Sequence, residues 1–215
     1  MRWFVSIIAI VGIVSSASAA AGSLSVTITD AGGKRVADAV VEVSRTDAAM
    51  APPAPVTAPH IVDQRNETFM PYVALVRPGE QVIFRNSDKT RHQVYSFSDI
   101  KRFEYVLRPG QSSDPLTMDK PGVVSIGCNI HDQMVTYLFI TTAPMAKIST
   151  SSGVVTFDAL APGTYAVHVW HPQLAPGTNG PVKSIDVAAR PAVLAVGLSL
   201  LGDPRNAVDR EHIGY

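Results

Sequence analysis

The sequence predicts an all-β protein of two small sandwiches, one interrupted by the other. Three observations predict it. Short runs rich in Val, Ile, Thr, Tyr and Phe recur through residues 24–200, separated by Gly, Pro, Asn and Asp. No segment sustains a 3.6-residue apolar period with helix caps. The runs also fall into three groups, two near the N-terminus, about six in the middle and four near the C-terminus. A two-stranded hairpin alone is marginal in water, so the simplest arrangement pairs residues 24–44 with 146–200 and inserts residues 60–144 between them. Three serial modules are the alternative.

In order, LSVTIT (24–29) alternates apolar and polar, DAGGK turns the chain, and ADAVVEVS (37–44) resumes. RTDAAMAPPAPVTAPH (45–60) holds four prolines and reads as an extended linker. PYVALV (71–76) runs into the turn RPGE, and QVIFRN (81–86) follows. After a polar loop come HQVYSFS (92–98), FEYVL (103–107) and a second RPG turn, then KPGVVSIGC (120–128) and VTYLFITT (135–142). Pro-Gly pairs suit these turns because proline presets φ and glycine tolerates φ > 0. Beyond Pro144 lie GVVTFDAL (153–160), APGTYAVHVWHP (161–172), VKSIDVA (182–188) and AVLAVGLSLL (192–201). Tyr165, Val167 and Val169 share one strand face; Leu194, Val196, Leu198 and Leu200 share another. The predicted boundaries are 1–19, a signal peptide; 20–45, first scaffold strands; 46–60, linker; 61–144, the inserted domain; 145–201, remaining scaffold strands; and 202–215, a loosely ordered polar tail.

Export is read from the start of the chain. Arg2 is followed by an apolar run from Phe4 to Val14 and by Ala17-Ser18-Ala19, a small-x-small cleavage site. That run is short for a membrane span, which needs about 20 residues; an uncleaved anchor is the competing reading. Maturation near Ala20 predicts a periplasmic protein with no stable membrane anchor. The whole chain has 18 basic and 18 acidic residues, so losing Arg2 leaves 17 against 18, near −1. No basic run is present, which argues against nucleic-acid partners. One cysteine permits no internal disulfide. In an oxidising compartment a lone thiol is at risk unless buried or held by a metal.

That cysteine lies in GCNIHDQM (127–134), with His131 and Met134 at successive three-residue steps. A copper site of the electron-transfer type needs a soft thiolate, two imidazoles and often a long, weak methionine contact. Cys128 ends one predicted strand, His131 sits on the following loop, and Met134 precedes the next strand. The second imidazole must come from elsewhere. His92, opening HQVYSFS after the loop NSDKTR, is preferred over His60, which lies in the proline-rich linker where nothing fixes its geometry. Each residue also has a plainer explanation: a buried thiol, a polar loop histidine, a core methionine. His168 and His171 in HVWHP form a second possible pair, but residues three apart on a strand point to opposite faces; Trp170 between them reads as packing or a lid.

The order His92, Cys128, His131, Met134, spaced C-x2-H-x2-M, resembles the cupredoxins, and the short ligand loop looks most like that of amicyanin. The resemblance spans roughly residues 62–142, including VRPGEQVIFRNSD and KPGVVSIGC. It implies a Greek-key β-sandwich holding one type 1 copper. The wider chain is similar to bacterial cupredoxin-bearing proteins of the methylamine-utilization group. ITDAGGKRVADAVVEV and FDALAPGTYAVHVWHP resemble carboxypeptidase-regulatory-like sandwiches. One departure stands out: Asp132 and Gln133 follow His131 where simple carriers place apolar residues for docking. An acidic neighbour favours the oxidised site and suits a basic partner.

The expected function is single-electron transfer between periplasmic redox partners, with His92, Cys128, His131 and Met134 as metal ligands and no enzymatic activity. Cys128 would carry the electronic coupling, His131 would face the partner, and the other nitrogen of His92 would find an acceptor. The alternative is a copper carrier or sensor, or a sandwich adaptor whose metal site is structural or vestigial.

Overall fold

A computed structural model describes residues 21–206; the expected signal peptide and residues 207–215 lie outside the described residues. The described chain is all-β, with a single 3-10 turn at Pro204–Asn206. No helix among the described residues is long and apolar enough to cross a membrane. The strands run β1 (Gly22–Asp30), β2 (Val40–Arg45), β3 (His60–Gln64), β4 (Phe69–Met70), β5 (Val73–Val76), β6 (Gln81–Asn86), β7 (His92–Ser96) and β8 (Phe103–Leu107). They continue as β9 (Leu116–Thr117), β10 (Gly122–Cys128), β11 (His131–Ile140), β12 (Met145–Ile148), β13 (Val154–Leu160), β14 (Gly163–Trp170), β15 (Val182–Val187) and β16 (Ala192–Leu198).

Strands from the two ends of the chain share sheets. β1 lies between β13 and β16, and β2 lies between β12 and β14, with β15 at the edge beyond. Each N-terminal strand is thus an inner strand; β1 is buried on alternate residues, while β2 buries Val41 and Val43 on one face and Val40 on the other. Leu24, Val26 and Ile28 of β1 meet Val41 and Val43 of β2, Tyr165, Val167 and Val169 of β14, and Val196 and Leu198 of β16 in one core. The chain leaves this sandwich after Arg45 and returns at Met145, which pairs directly with Val43. Adjacent exit and entry points are the condition under which a long insertion leaves a fold intact.

Residues 60–140 form two further sheets, β5-β11-β10-β7-β8 and β4-β3-β6-β9. Their core joins Phe69, Val82, Phe84, Val94, Val124, Ile126 and Leu138, and Cys128 and Met134 belong to it. Phe84 stacks on Phe103 with ring centroids 5.1 Å apart. β11 pairs parallel to β5 and β3 parallel to β6, so each pair needs a crossover instead of a tight hairpin.

The two halves meet over Val40, Tyr72, Val73, Phe139 and Trp170. The Trp170 ring lies 5.0 Å from that of Phe139 and 6.1 Å from that of Tyr137, so Trp170 is packing between sandwiches, not a lid. Burial of aromatics on this scale contributes about 2–3 kcal/mol each. Beside them Glu42 accepts from Thr141 Oγ1 across the junction and pairs with His168 Nδ1 at 2.6 Å.

Two expectations are corrected. The tail is not loose throughout, since Arg205 lies 3.5 Å over the Tyr72 ring and 2.6 Å from Asp203. His60 is not in an unanchored linker. It opens β3, and its Nε2 sits 2.7 Å from Glu80 Oε2. Glu80, itself buried, also accepts from Val56 N at 2.8 Å and Arg77 N at 2.9 Å.

Candidate metal centre

Backbone register explains how three distant donors converge. β6 ends at Asn86, whose Nδ2 donates to Thr90 O and Leu107 O, both at 2.8 Å. These bonds pin the loop 87–91, so that β7 begins at His92. β10 ends at Cys128, which pairs with Val94 on one side and His131 on the other. Gly127 pairs with Val135, so residues 132–134 are extra on β11 and bulge out of the ladder.

This corrects the expected loop. Asn129 and Ile130 alone make the turn; His131 opens β11, and Met134 lies within that strand instead of before it. The bulge returns Met134 to the core, where it is 1% exposed.

His92, Cys128 and His131 offer ligand atoms within 4.8 Å of one another. His92 Nδ1 is 3.5 Å from Cys128 Sγ, and the two imidazole rings lie 5.4 Å apart. The residues are 0%, 3% and 7% exposed. His92 Nε2 donates to Asp88 Oδ2 at 2.8 Å. With the proton held on Nε2, the Nδ1 lone pair faces the sulfur. Asp88 is thus the acceptor expected for the other nitrogen of His92. Burial raises the Asp88 pKa, but its bonds to the His92 ring and to the Glu67 and Asn66 amides outweigh that and leave it below the usual carboxylate range.

His131 is arranged in parallel. Its Nε2 lies 3.7 Å from Glu67 Oε1, and its Nδ1 is buried with no hydrogen-bond partner among the described residues. Glu67 reaches it from the β3–β4 turn, where Asn66 and Glu67 adopt left-handed φ values of 53° and 55°. Asp88 holds that turn by accepting from Asn66 N at 2.5 Å and Glu67 N at 3.1 Å. One carboxylate therefore orients His92 and positions the second carboxylate over His131.

The expected solvent edge at His131 changes accordingly. Its side chain is only 8% exposed. The acid facing it is Glu67, while Asp132 points to solvent. Asp88 had a sequence signal, four residues before a strand-opening histidine; Glu67 had none. His168 and His171 form no shared site. Nδ1 of His168 pairs with Glu42 and its Nε2 donates to Asn179 O, while His171 bonds Ala37 O and Gln173 N, each at 3.1 Å.

The donor set fits a soft, borderline metal. An orphaned buried imidazole nitrogen would cost about 1–3 kcal/mol unless something fills it. A thiolate and two imidazoles suit copper.

No family model matches the sequence, and no curated protein matches it. Among solved structures it is similar to a copper-containing nitrite reductase of Thermus scotoductus, with 23% identity, TM-score 0.35, and coverage of 41% of this chain and 25% of that one. A reduced point mutant of amicyanin gives 15% identity and TM-score 0.36, covering 46% of this chain and 99% of that one. A purple cupredoxin from Nitrosopumilus maritimus gives 17% and 0.35, covering 38% and 99%. The chain thus spans about a quarter of the length of the nitrite reductase. At these TM-scores none of the likenesses bears on the site, whose reading rests on its own geometry.

Proposed function

We propose that this protein is a periplasmic type 1 copper protein that carries single electrons between redox partners. The observation that carries the reading is the convergence of His92 Nδ1, Cys128 Sγ and the unpartnered His131 Nδ1 in one buried cluster. Bound copper would supply one-electron chemistry between Cu(II) and Cu(I). Cys128, His92 and His131 would hold it, with Met134 as a weak fourth contact.

The chain's own residues prepare that site. Asp88 keeps the His92 proton on Nε2 through a hydrogen bond, while the Glu67 carboxylate, 3.7 Å from His131 Nε2, contributes only its charge there; His131 Nδ1 is left without a hydrogen-bond partner among the described residues. Cys128 gives up its thiol proton on metal binding, as thiolate ligands must. The strand pairings of Cys128 with Val94 and His131 fix the donors on sheet rather than on a mobile loop. Donors held this firmly suit electron transfer, because little rearranges between the two oxidation states.

Burial of every donor favours a carrier over a catalyst, which needs an open coordination position for substrate. It also favours electron transfer over metal hand-off, which needs an exposed donor to begin ligand exchange. The N-terminal export pattern supports the periplasm.

The test is titration of the purified protein with Cu(II). An intense thiolate-to-copper absorption band, saturating at one copper per chain and absent in Cys128→Ser, supports the reading; a colourless complex overturns it.

A further inference from the structure

We infer that Glu67 is the entry carboxylate for the metal: it takes an incoming aquated copper(II) ion from solvent and passes it to His131, whose ring swings to receive it. The inference rests on the copper reading above. It supplies a loading route that the expected ligands themselves do not, because all of them are buried.

Ligand exchange begins at a donor that solvent can reach. His92, Cys128, His131 and Met134 are between 0% and 7% exposed. The carboxylates against the two imidazoles differ from them and from each other: the Asp88 side chain is 11% exposed, and that of Glu67 is 44% exposed. Both line an open cavity of about 430 Å³, together with Asn66, Ser87, Lys89 and Thr90. Asp88 is already committed, since it accepts from His92 Nε2 and from the Asn66 and Glu67 amides. Glu67 Oε1 stands 3.7 Å from His131 Nε2, beyond hydrogen-bond length. Of the two, Glu67 is therefore the carboxylate able to take a new ligand.

The rings also differ in how they are held. His92 is fully buried, its Nε2 is bonded to Asp88 at 2.8 Å, and β7 lies between β10 and β8. Turning that ring would forfeit a hydrogen bond to a charged acceptor. His131 is the first residue of β11, beside the bulge at residues 132–134, and its Nδ1 has no hydrogen-bond partner among the described residues. Turning its ring toward the cavity leaves no bond on Nδ1 to break and keeps Glu67 within reach. Once the ring returns, Glu67 stands off the site and no ligand is exposed, so the same arrangement that admits the ion also retains it.

The backbone singles out Glu67 as well. Its φ of 55° lies in the left-handed region, where glycine or asparagine is the usual residue. Asp88 holds this conformation through both turn amides, and a glutamate kept there against its preference points to a task for its side chain.

The test mixes the full-length apoprotein with excess copper(II) in a stopped-flow instrument and follows growth of the thiolate-to-copper band. Glu67→Gln should slow uptake about tenfold, and Glu67→Asp, which keeps a carboxylate, should recover part of the rate. Release to a chelator should slow in Glu67→Gln too, because a gate acts in both directions; a merely structural role, which would loosen the site, predicts faster release. Lys89→Gln, on the cavity rim, should speed uptake at low salt only, whereas the Glu67 effect should persist at 1 M salt, where the Debye length is about 3 Å. A normal band with uptake unchanged in Glu67→Gln overturns the entry route alone. So does slow uptake in Asp132→Asn but not in Glu67→Gln. Absence of the band in the unsubstituted protein overturns the copper reading and the entry route with it.

Discussion

Replacing Asp88 by alanine should damage stability and metal affinity together, because one carboxylate serves both. It accepts from His92 Nε2 at 2.8 Å, Asn66 N at 2.5 Å and Glu67 N at 3.1 Å. Alanine leaves the Nε2–H of a fully buried ring without an acceptor, at a cost of about 1–3 kcal/mol. The two turn amides can recruit water, adding about 0.5 kcal/mol each. The expected loss is thus about 2–4 kcal/mol, with asparagine, which keeps one acceptor oxygen, losing about half as much. The His92 ring can also escape by moving its proton to Nδ1, which blocks the donor facing Cys128. Copper affinity should then fall by about ten- to a hundredfold. Urea unfolding of the apoprotein and chelator competition for the holoprotein read the two effects separately. If Asp88→Ala matches the unsubstituted protein in both, Asp88 does not organise this site.

Three further outcomes are expected. Glu67→Gln removes a negative charge beside His131 and should raise the reduction potential by about 20–40 mV, read by voltammetry; the carboxylate is 44% exposed, so solvent screens it. The Glu42–His168 pair should give a bell in stability against pH: Glu42 is lowered from 4.5 despite burial, by its bonds to His168 and Thr141, and His168 is raised from 6.5 chiefly by its bond to Glu42. Its stabilisation is lost as pH falls through the Glu42 value and as pH rises through the His168 value, so unfolding in urea should separate His168→Gln from the unsubstituted protein by about 1–2 kcal/mol between those limits and by less outside them. Trp170→Ala should cost about 3–4 kcal/mol and split calorimetric unfolding into two transitions, because it empties the junction without touching either core; a single unshifted transition would show that the sandwiches are not coupled there.

Much of this structure was legible in period-2 alternation. LSVTIT, QVIFRN and FEYVL became strands because each must bury one face. HIVDQ was missed because its buried end is polar. Asp63 is held by Arg85 at 2.7 Å and Gln64 donates to Arg85 O at 3.1 Å, so tertiary partners, not hydrophobicity, make it a strand. At the site, the spacing of Cys128, His131 and Met134 pointed to one cluster because those donors are local. The bulge at residues 132–134 was invisible, since it depends on the Gly127–Val135 pairing. Glu67 was invisible for a similar reason: only the turn held by Asp88 brings it to His131. The acid beside His131 was sought in the next residue along the chain and came from another sheet.

X-ray absorption at the copper edge, on protein loaded with one copper, tests the central claim most directly. The geometry predicts one sulfur and two imidazole nitrogens as the near ligands, with the sulfur lost in Cys128→Ser and one nitrogen lost in His92→Ala. A shell of nitrogen and oxygen alone in the unsubstituted protein would contradict it.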